Sequence, residues 1–325
     1  MGLGLYYNTR RFFEHCFGAM YELWKSRKTL IPDLYRKGKI TDRQFLTWVY
    51  WKQFKKVINW RHPQTFNEKV QWIKLYDRRK EYSRIVDKLE FKNWLREKIG
   101  DGYTVPVIAI WNDFEEIDEK QLPAKFVLKT NHTSGTTYIH TGKVAPDKDK
   151  IRSILGHRYD LDLYIDSCEW AYKDVKRKIF AEELLEYDNP LDGVSDYKFL
   201  CFNGVPHYVQ FFSAQEDHYF RDVEKMVTSF QAFYDMNWNR LDMKQGMPFE
   251  NQIEIDIPRP IKFEEMKDIA RQLSDGFPFV RVDFFEIEGK IYLSELTFCP
   301  YSGKYKFNPE EWDMKLGKLW DLGIS

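Results

Sequence analysis

The chain has 325 residues, 43% hydrophobic and 17% aromatic, enough to form a large core and to exclude a disordered or fibrous chain. Its 50 basic and 50 acidic residues cancel, but residues 1–100 hold 23 Lys and Arg against 10 Asp and Glu, a surplus of 13 that the remainder reverses. A basic first third predicts either an anionic partner (a membrane surface, a polyanionic polymer, a nucleotide-linked substrate) or a solvated helical surface.

The first stretch, MGLGLYYNTRRFFEHCFGAMYELWKSRK, is aromatic, basic and broken by charges. It lacks the apolar run and small-residue site of a signal peptide, and Tyr6 stands where N-myristoylation wants Ser or Thr. It is expected to pack as a helix on the protein or to lie on a membrane surface. No apolar run approaches the roughly 18 residues of a spanning helix. Cys16, Cys168, Cys201 and Cys299 are far apart, which argues against structural zinc and a disulfide framework and for a reducing cytoplasm.

Residues 10–100 read as mostly helix, with apolar residues at three- and four-residue spacing in 43–60 and 68–79, a break at 61–68, and Gly100 as a C-cap. From Tyr103 the pattern becomes β. TVPVIAIW (104–111), KFVLKT (125–130) and YIHTGKV (138–144) read as strands, 147–175 as helix, and KRKIFAEELL (176–185) as a strand ending in acids. DYKFLCFNGVPHYVQFFSA (196–214) predicts two strands around an Asn-Gly turn, and 262–276 an amphipathic helix ended by Gly276. The fold class is α+β, with antiparallel strands dominating the second half.

The hairpin FVRVDFFEIEGKIYLSELTFCPYSG (279–303) is apolar yet keeps Arg281, Asp283 and Glu295. If its turn centres on Gly289, Asp283 faces Glu295 and Arg281 faces Thr297 on one side; a two-residue turn would shift the pairing and spoil this. Facing carboxylates repel unless a cation lies between them. Their hard oxygens suit Mg²⁺ completed by phosphate oxygens and water, with Arg281 gripping a phosphoryl or carboxylate oxygen. The bland reading is a surface ladder in which Arg281 simply pairs with Asp283.

Companion signals accompany it. KFVLKTNHTSGTTYIH offers Lys129 at a strand end followed by a loop with Gly135, Thr136 and Thr137, either a phosphate cradle or an ordinary hairpin turn. His132 reads as a structural histidine rather than a base. Lys198 reads as a phosphate contact or a snorkelling edge residue. Glu182 and Glu183 open a short linker whose backbone could meet an adenine edge, or form a solvated strand end.

Four blocks in one order, FNEKVQWIKLYDR (66–78), LPAKFVLKTNHTSG (122–135), DYKFLCFNG (196–204) and the 279–303 hairpin, resemble the ATP-grasp superfamily, and within it the teichuronopeptide-biosynthesis branch. The resemblance covers about Phe66 to Pro309. It implies two α+β subdomains clasping ATP behind a mostly helical N-terminal region: 1–100 helical, 101–185 the small subdomain with the phosphate loop, 186–325 the large one with the metal site. It implies ATP-phosphate contacts at Lys88, Lys129 and the Gly135 loop, adenine contacts along Glu182, Glu183, Leu184 and Leu185, and an adenine or phosphate contact at Lys198. Asp283, Glu295 and Thr297 are the implied metal ligands, Thr297 standing where many relatives have Asn, and Arg281 the implied catalytic cation.

The implied cofactors are ATP and Mg²⁺. The implied activity is carboxylate–amine ligation through an acyl phosphate, amidating a uronic acid of a bacterial surface polysaccharide or its precursor. The expected setting is the cytoplasm, with a peripheral membrane contact and no nucleic-acid partner. The rivals are a kinase, a non-catalytic scaffold, and a glycosyltransferase of the same pathway. For the last, Asp160-Leu161-Asp162 is the available Asp-x-Asp, placed by the periodicity inside a helix.

Overall fold

A computed structural model describes residues 30–133, 137–185, 193–215, 229–246 and 257–324. The chain divides into two compact units, Met1–Ile58 and Asn59–Ser325. In the first, helix α1 (Asp42–Phe54) begins with a capping box. Thr41 Oγ1 accepts from the Gln44 amide, and Gln44 Oε1 accepts from the Thr41 amide. Tyr35 stacks on Phe45 at 4.3 Å.

The second unit begins its helices with the same device. Thr65 caps α2 (Phe66–Tyr76), and buried Glu68 accepts from the amides of Asn59, Gln64 and Thr65, so the FNE motif fixes the chain's entry into this helix. Helices α3 (Lys80–Val86) and α4 (Lys88–Ile99) follow, separated at Asp87, whose carboxylate caps α4 through the amides of Leu89 and Glu90.

A four-stranded antiparallel sheet has the order β1-β4-β2-β3, from β1 (Val107–Trp111), β2 (Phe126–Thr130), β3 (Thr137–His140) and β4 (Ile179–Glu183). It shares a core with α5 (Lys148–Tyr159) built on Phe126, Leu128, Ile151 and Leu155. The stretch expected as one helix over 147–175 is instead α5, α6 (Leu163–Ser167) and a 3₁₀ turn at Trp170–Tyr172. Asp160 closes α5, and Asp162 caps α6 by accepting from the Ile165 amide. Asp-x-Asp therefore lies between helices rather than within one, and Asp162 serves as a cap.

The second sheet is five-stranded and antiparallel, ordered β10-β9-β5-β6-β7, from β5 (Gly193–Phe202), β6 (Val205–Gln215), β7 (Ser229–Asp235), β9 (Phe279–Ile287) and β10 (Lys290–Thr297). Asn203 and Gly204 form the expected turn, both with positive φ. One core lies between this sheet and α3, α4 and α7 (Phe263–Ser274). Another joins α2, Leu200, Phe279 and α8 (Glu311–Leu319). A two-stranded ribbon of β8 (Lys244–Gln245) and β11 (Phe307–Asn308) completes the unit. The fold is α+β, as the strand pattern implies.

Candidate active site

The β9–β10 turn is not centred on Gly289. It is a two-residue turn, Glu288 and Gly289, both with positive φ. Near the turn Leu293 therefore pairs with Phe284, the shifted register. A β-bulge between Leu293 and Glu295 then inserts one residue and restores the alternative alignment, Asp283 opposite Glu295 and Arg281 opposite Thr297. On the other side Lys198 pairs with Asp283. Strand alternation thus brings Lys198, Arg281, Asp283, Glu295 and Thr297 to one face, joined by Asp196 two residues before Lys198.

Arg281 holds Asp283 in a two-bond fork, Nε to Oδ1 at 2.7 Å and Nη2 to Oδ2 at 2.5 Å. The same Nη2 donates to Glu295 Oε1 at 3.2 Å and Thr297 Oγ1 at 3.1 Å. Lys198 Nζ reaches Asp283 Oδ2 at 3.1 Å and also bonds Asp196. Asp283 is fully buried and Arg281 nearly so, which removes the surface-ladder reading although the Arg281–Asp283 pair itself is present.

Burial works against the charges on Arg281 and Lys198, but their carboxylate neighbours outweigh it and raise both pKa values. Burial likewise opposes charge on Glu295, yet Lys88, Arg281 and Lys198 pull its carboxyl below the usual range. Asp196 behaves differently. Burial, with Asp283 beside it, pushes it up to about 6, and its Oδ1 is buried without a hydrogen-bond partner.

A second cluster lies on the smaller sheet. Glu182 projects from β4 between two ammonium groups, Lys92 Nζ on Oε1 and Lys129 Nζ on Oε2, each at 2.6 Å. Burial disfavours its charge, but Lys129 and Lys92 lower its pKa on balance. Lys92 also donates to the Val105 carbonyl. Lys88, first residue of α4, donates from Nζ to the Thr133 carbonyl. Burial lowers its pKa, Glu295 and Glu182 raise it and Lys129 opposes them, so Lys88 feels both clusters.

Thr137 opens β3 opposite Lys129. Glu183 points away from Glu182 and is exposed, and Leu184 and Leu185 continue beyond the strand half-buried. Gly135 and Thr136 lie outside the described residues. His132 bonds Asn131 Oδ1 and the Tyr159 carbonyl, the structural role expected of it.

Two residues escape the sequence reading. Asp196 is signalled by its two-residue spacing from Lys198 on a strand, and Lys92 by its place one helical turn after Lys88. Among the described residues no three His, Cys, Asp or Glu side chains are gathered into a metal cage. The donor set still fits a hard cation that brings its own phosphate oxygens, because Asp283 and Glu295 converge on one guanidinium nitrogen, and Asp196, which shares Lys198 with Asp283, keeps a buried carboxylate oxygen without a partner.

A family model described as TupA-like ATPgrasp matches residues 68–321. Among solved structures, D-alanine–D-alanine ligase from Helicobacter pylori is 15% identical, with a TM-score of 0.39, over 81% of this chain and 68% of that one. The Bacillus anthracis D-alanine–D-alanine ligase complexed with ATP is 14% identical, TM-score 0.37, over 73% and 63%. The ATP-grasp ligase PsnB complexed with minimal precursor is 13% identical, TM-score 0.34, over 67% and 53%, so the chain spans about half the length of PsnB. No curated protein matches. The family match covers most of the chain and runs through both charged clusters: the chain belongs to the TupA-like ATP-grasp family.

Proposed function

We propose that this enzyme joins a carboxylate to an amine at the expense of ATP, the carboxylate being a uronic acid of a bacterial surface polysaccharide or its precursor and the amine an amino acid or similar nucleophile. The observation that carries the reading is the buried face of the large sheet, where Asp283, Glu295 and Arg281 share a bond network. Residues 101–185 act as the part that covers the phosphates and 186–325 as the part that holds the reacting groups, with 1–100 ahead of both.

Lys88, Lys129, Thr137 and Lys198 would hold the phosphates of ATP, and the stretch Glu182 to Leu185 would meet its adenine edge. Asp283 and Glu295 would hold Mg²⁺, with the Thr297 hydroxyl and phosphate oxygens completing the oxygen set. When bound, the ion neutralises charge on the transferring phosphoryl group. The substrate carboxylate oxygen attacks the γ-phosphorus, the bond to ADP breaks, and an acyl phosphate forms. Arg281 can leave Glu295 and Thr297 for the phosphoryl oxygens while keeping its fork on Asp283, so it meets developing charge without losing its orientation. The amine then attacks the acyl carbon, phosphate departs, and the nitrogen sheds a proton.

Glu182 keeps Lys129 and Lys92 in place before nucleotide arrives, which lowers the cost of ordering them. The glycosyltransferase reading draws no support from Asp-x-Asp, since Asp162 is a helix cap. The test is mass spectrometry of reactions containing ATP, Mg²⁺, one uronic-acid oligosaccharide and a panel of amines. Amide product with ADP and phosphate released only when both substrates are present is the expected outcome. ADP release with a phosphorylated sugar and no need for amine would make the enzyme a kinase.

A further inference from the structure

Four residues after Thr297 the chain makes a turn that ordinary residues avoid. Tyr301, Ser302 and Gly303 are left-handed in succession, with φ of 50°, 57° and 65°. For the two non-glycine residues this conformation costs roughly 1–2 kcal/mol each. Helix α2 spends three buried polar side chains, spaced four and three residues apart, on holding the turn. Asn67 exchanges hydrogen bonds with the Tyr305 backbone, at 2.9 and 3.0 Å. Gln71 donates to the carbonyls of Ser302 and Gly303, both at 2.9 Å. Lys74 donates to the Ser302 carbonyl at 3.0 Å and to its Oγ at 2.6 Å. A Cβ on Gly303 would lie 2.5 Å from Gln71 Nε2, so the turn and helix are in close contact.

The effect of this bracing is to present one side chain. Tyr301 is 64% exposed although the residues after it are firmly braced. It lies parallel to Tyr305, centroids 5.0 Å apart and planes within 10°. Tyr305 is buried beneath it, and burial raises its hydroxyl pKa while the charges of Arg281 and Lys198 act to lower it. Residues 296–309 include Lys304 and Lys306 and no acid. An open aromatic face a few residues from Lys304 and Lys306, stacked on a ring within electrostatic reach of Arg281, suits a flat apolar surface attached to an anion.

We infer that Tyr301, backed by Tyr305, is the platform on which the sugar ring of an acidic glycan stacks, C–H face against the aromatic face, so that its carboxylate reaches toward Arg281. This rests on the ligase reading for the identity of the reacting group. Tyr301 is then a specificity-determining residue outside the metal and nucleotide contacts.

The test uses the full chain with ADP and Mg²⁺ and trigalacturonate as probe, with binding read by saturation-transfer NMR and calorimetry. Tyr301→Gly removes the ring while relieving the backbone, so it should be as stable as the parent or more so, keep its thermal shift with ATP, and bind trigalacturonate about tenfold more weakly. Tyr301→Phe should restore binding. Unchanged affinity in Tyr301→Gly overturns the inference, as does an absence of trigalacturonate binding by the parent or equal binding of neutral maltotriose. Loss of the ATP shift instead of sugar affinity overturns it in favour of nucleobase stacking. If the ligase reading alone is wrong, trigalacturonate binds through Tyr301 but yields no amide.

Discussion

Arg281 makes four hydrogen bonds to three residues of its own hairpin, and that economy has a cost when it is removed. Among the described residues, Asp283 would keep only Lys198 as an ion-pair partner in a buried setting. Breaking a buried ion pair by removing one partner costs about 3–5 kcal/mol, and the remaining lysine places this case at the low end. Arg281→Met should therefore lose about 3 kcal/mol in urea denaturation; a loss near zero would show that the pair is solvated. Asp283→Asn keeps the shape and some of the fork, so it should fold, yet ATP-dependent turnover should fall by about two orders of magnitude or more.

His132 gives a pH signature. Burial holds its pKa down to about 4, against an ordinary value of 6.5. The unfolded chain takes up that proton near pH 6.5 and the folded chain only near pH 4, so the stability it contributes is complete above pH 6.5 and is lost as pH falls through this window. Denaturation midpoints taken at about pH 7 and about pH 4.5 should show the loss, and His132→Gln should flatten it. An equal slope in the variant would assign the acid sensitivity elsewhere.

At the scale of elements, the β9–β10 hairpin shows how alternation and turn chemistry can disagree and still align a site. The Gly in EIEGKI is legible as a turn, and the facing of Asp283 and Glu295 is legible as a pattern. The bulge that reconciles a two-residue turn with that pattern is not, because a bulge depends on packing against neighbouring strands rather than on any one residue type. The contact of α8 with the start of α2 is similarly tertiary. Gly317 lies within α8, where alanine would favour helix by about 1 kcal/mol. A Cβ there would sit 2.0 Å from the Gln64 carbonyl oxygen and 2.9 Å from the Phe66 amide nitrogen, and backbone cannot step aside as a side chain can. Gly317→Ala should lose about 2 kcal/mol or more in spite of its propensity, measured by the shift in urea midpoint. A stabilised variant would mean the helices are further apart.

For the molecule as a whole, two clusters on two sheets are brought within electrostatic reach of Lys88, and nucleotide binding should tie them together. A ligand that binds only the folded state at a hundred times its Kd adds about 2.7 kcal/mol. ATP with Mg²⁺ should raise Tm by roughly 5 °C for a domain of this size, and UDP-glucose with Mg²⁺ should not. The reverse order would favour a sugar-nucleotide enzyme.

From the residues alone came the α+β class, most of the helices and the strands of the two hairpins, and the family, because hydrophobic period, turn dipeptides and motif order are local properties of a chain. The pairing of Lys198 with Asp283 across strands 85 residues apart, the clasp of Lys92 and Lys129 on Glu182, and the buried orphan oxygen of Asp196 were decided only in three dimensions. A charged residue in a strand announces that something must neutralise it, but which distant partner does so follows from sheet order and register, and these are set by the packing of the two sheets and their helices rather than by any one segment.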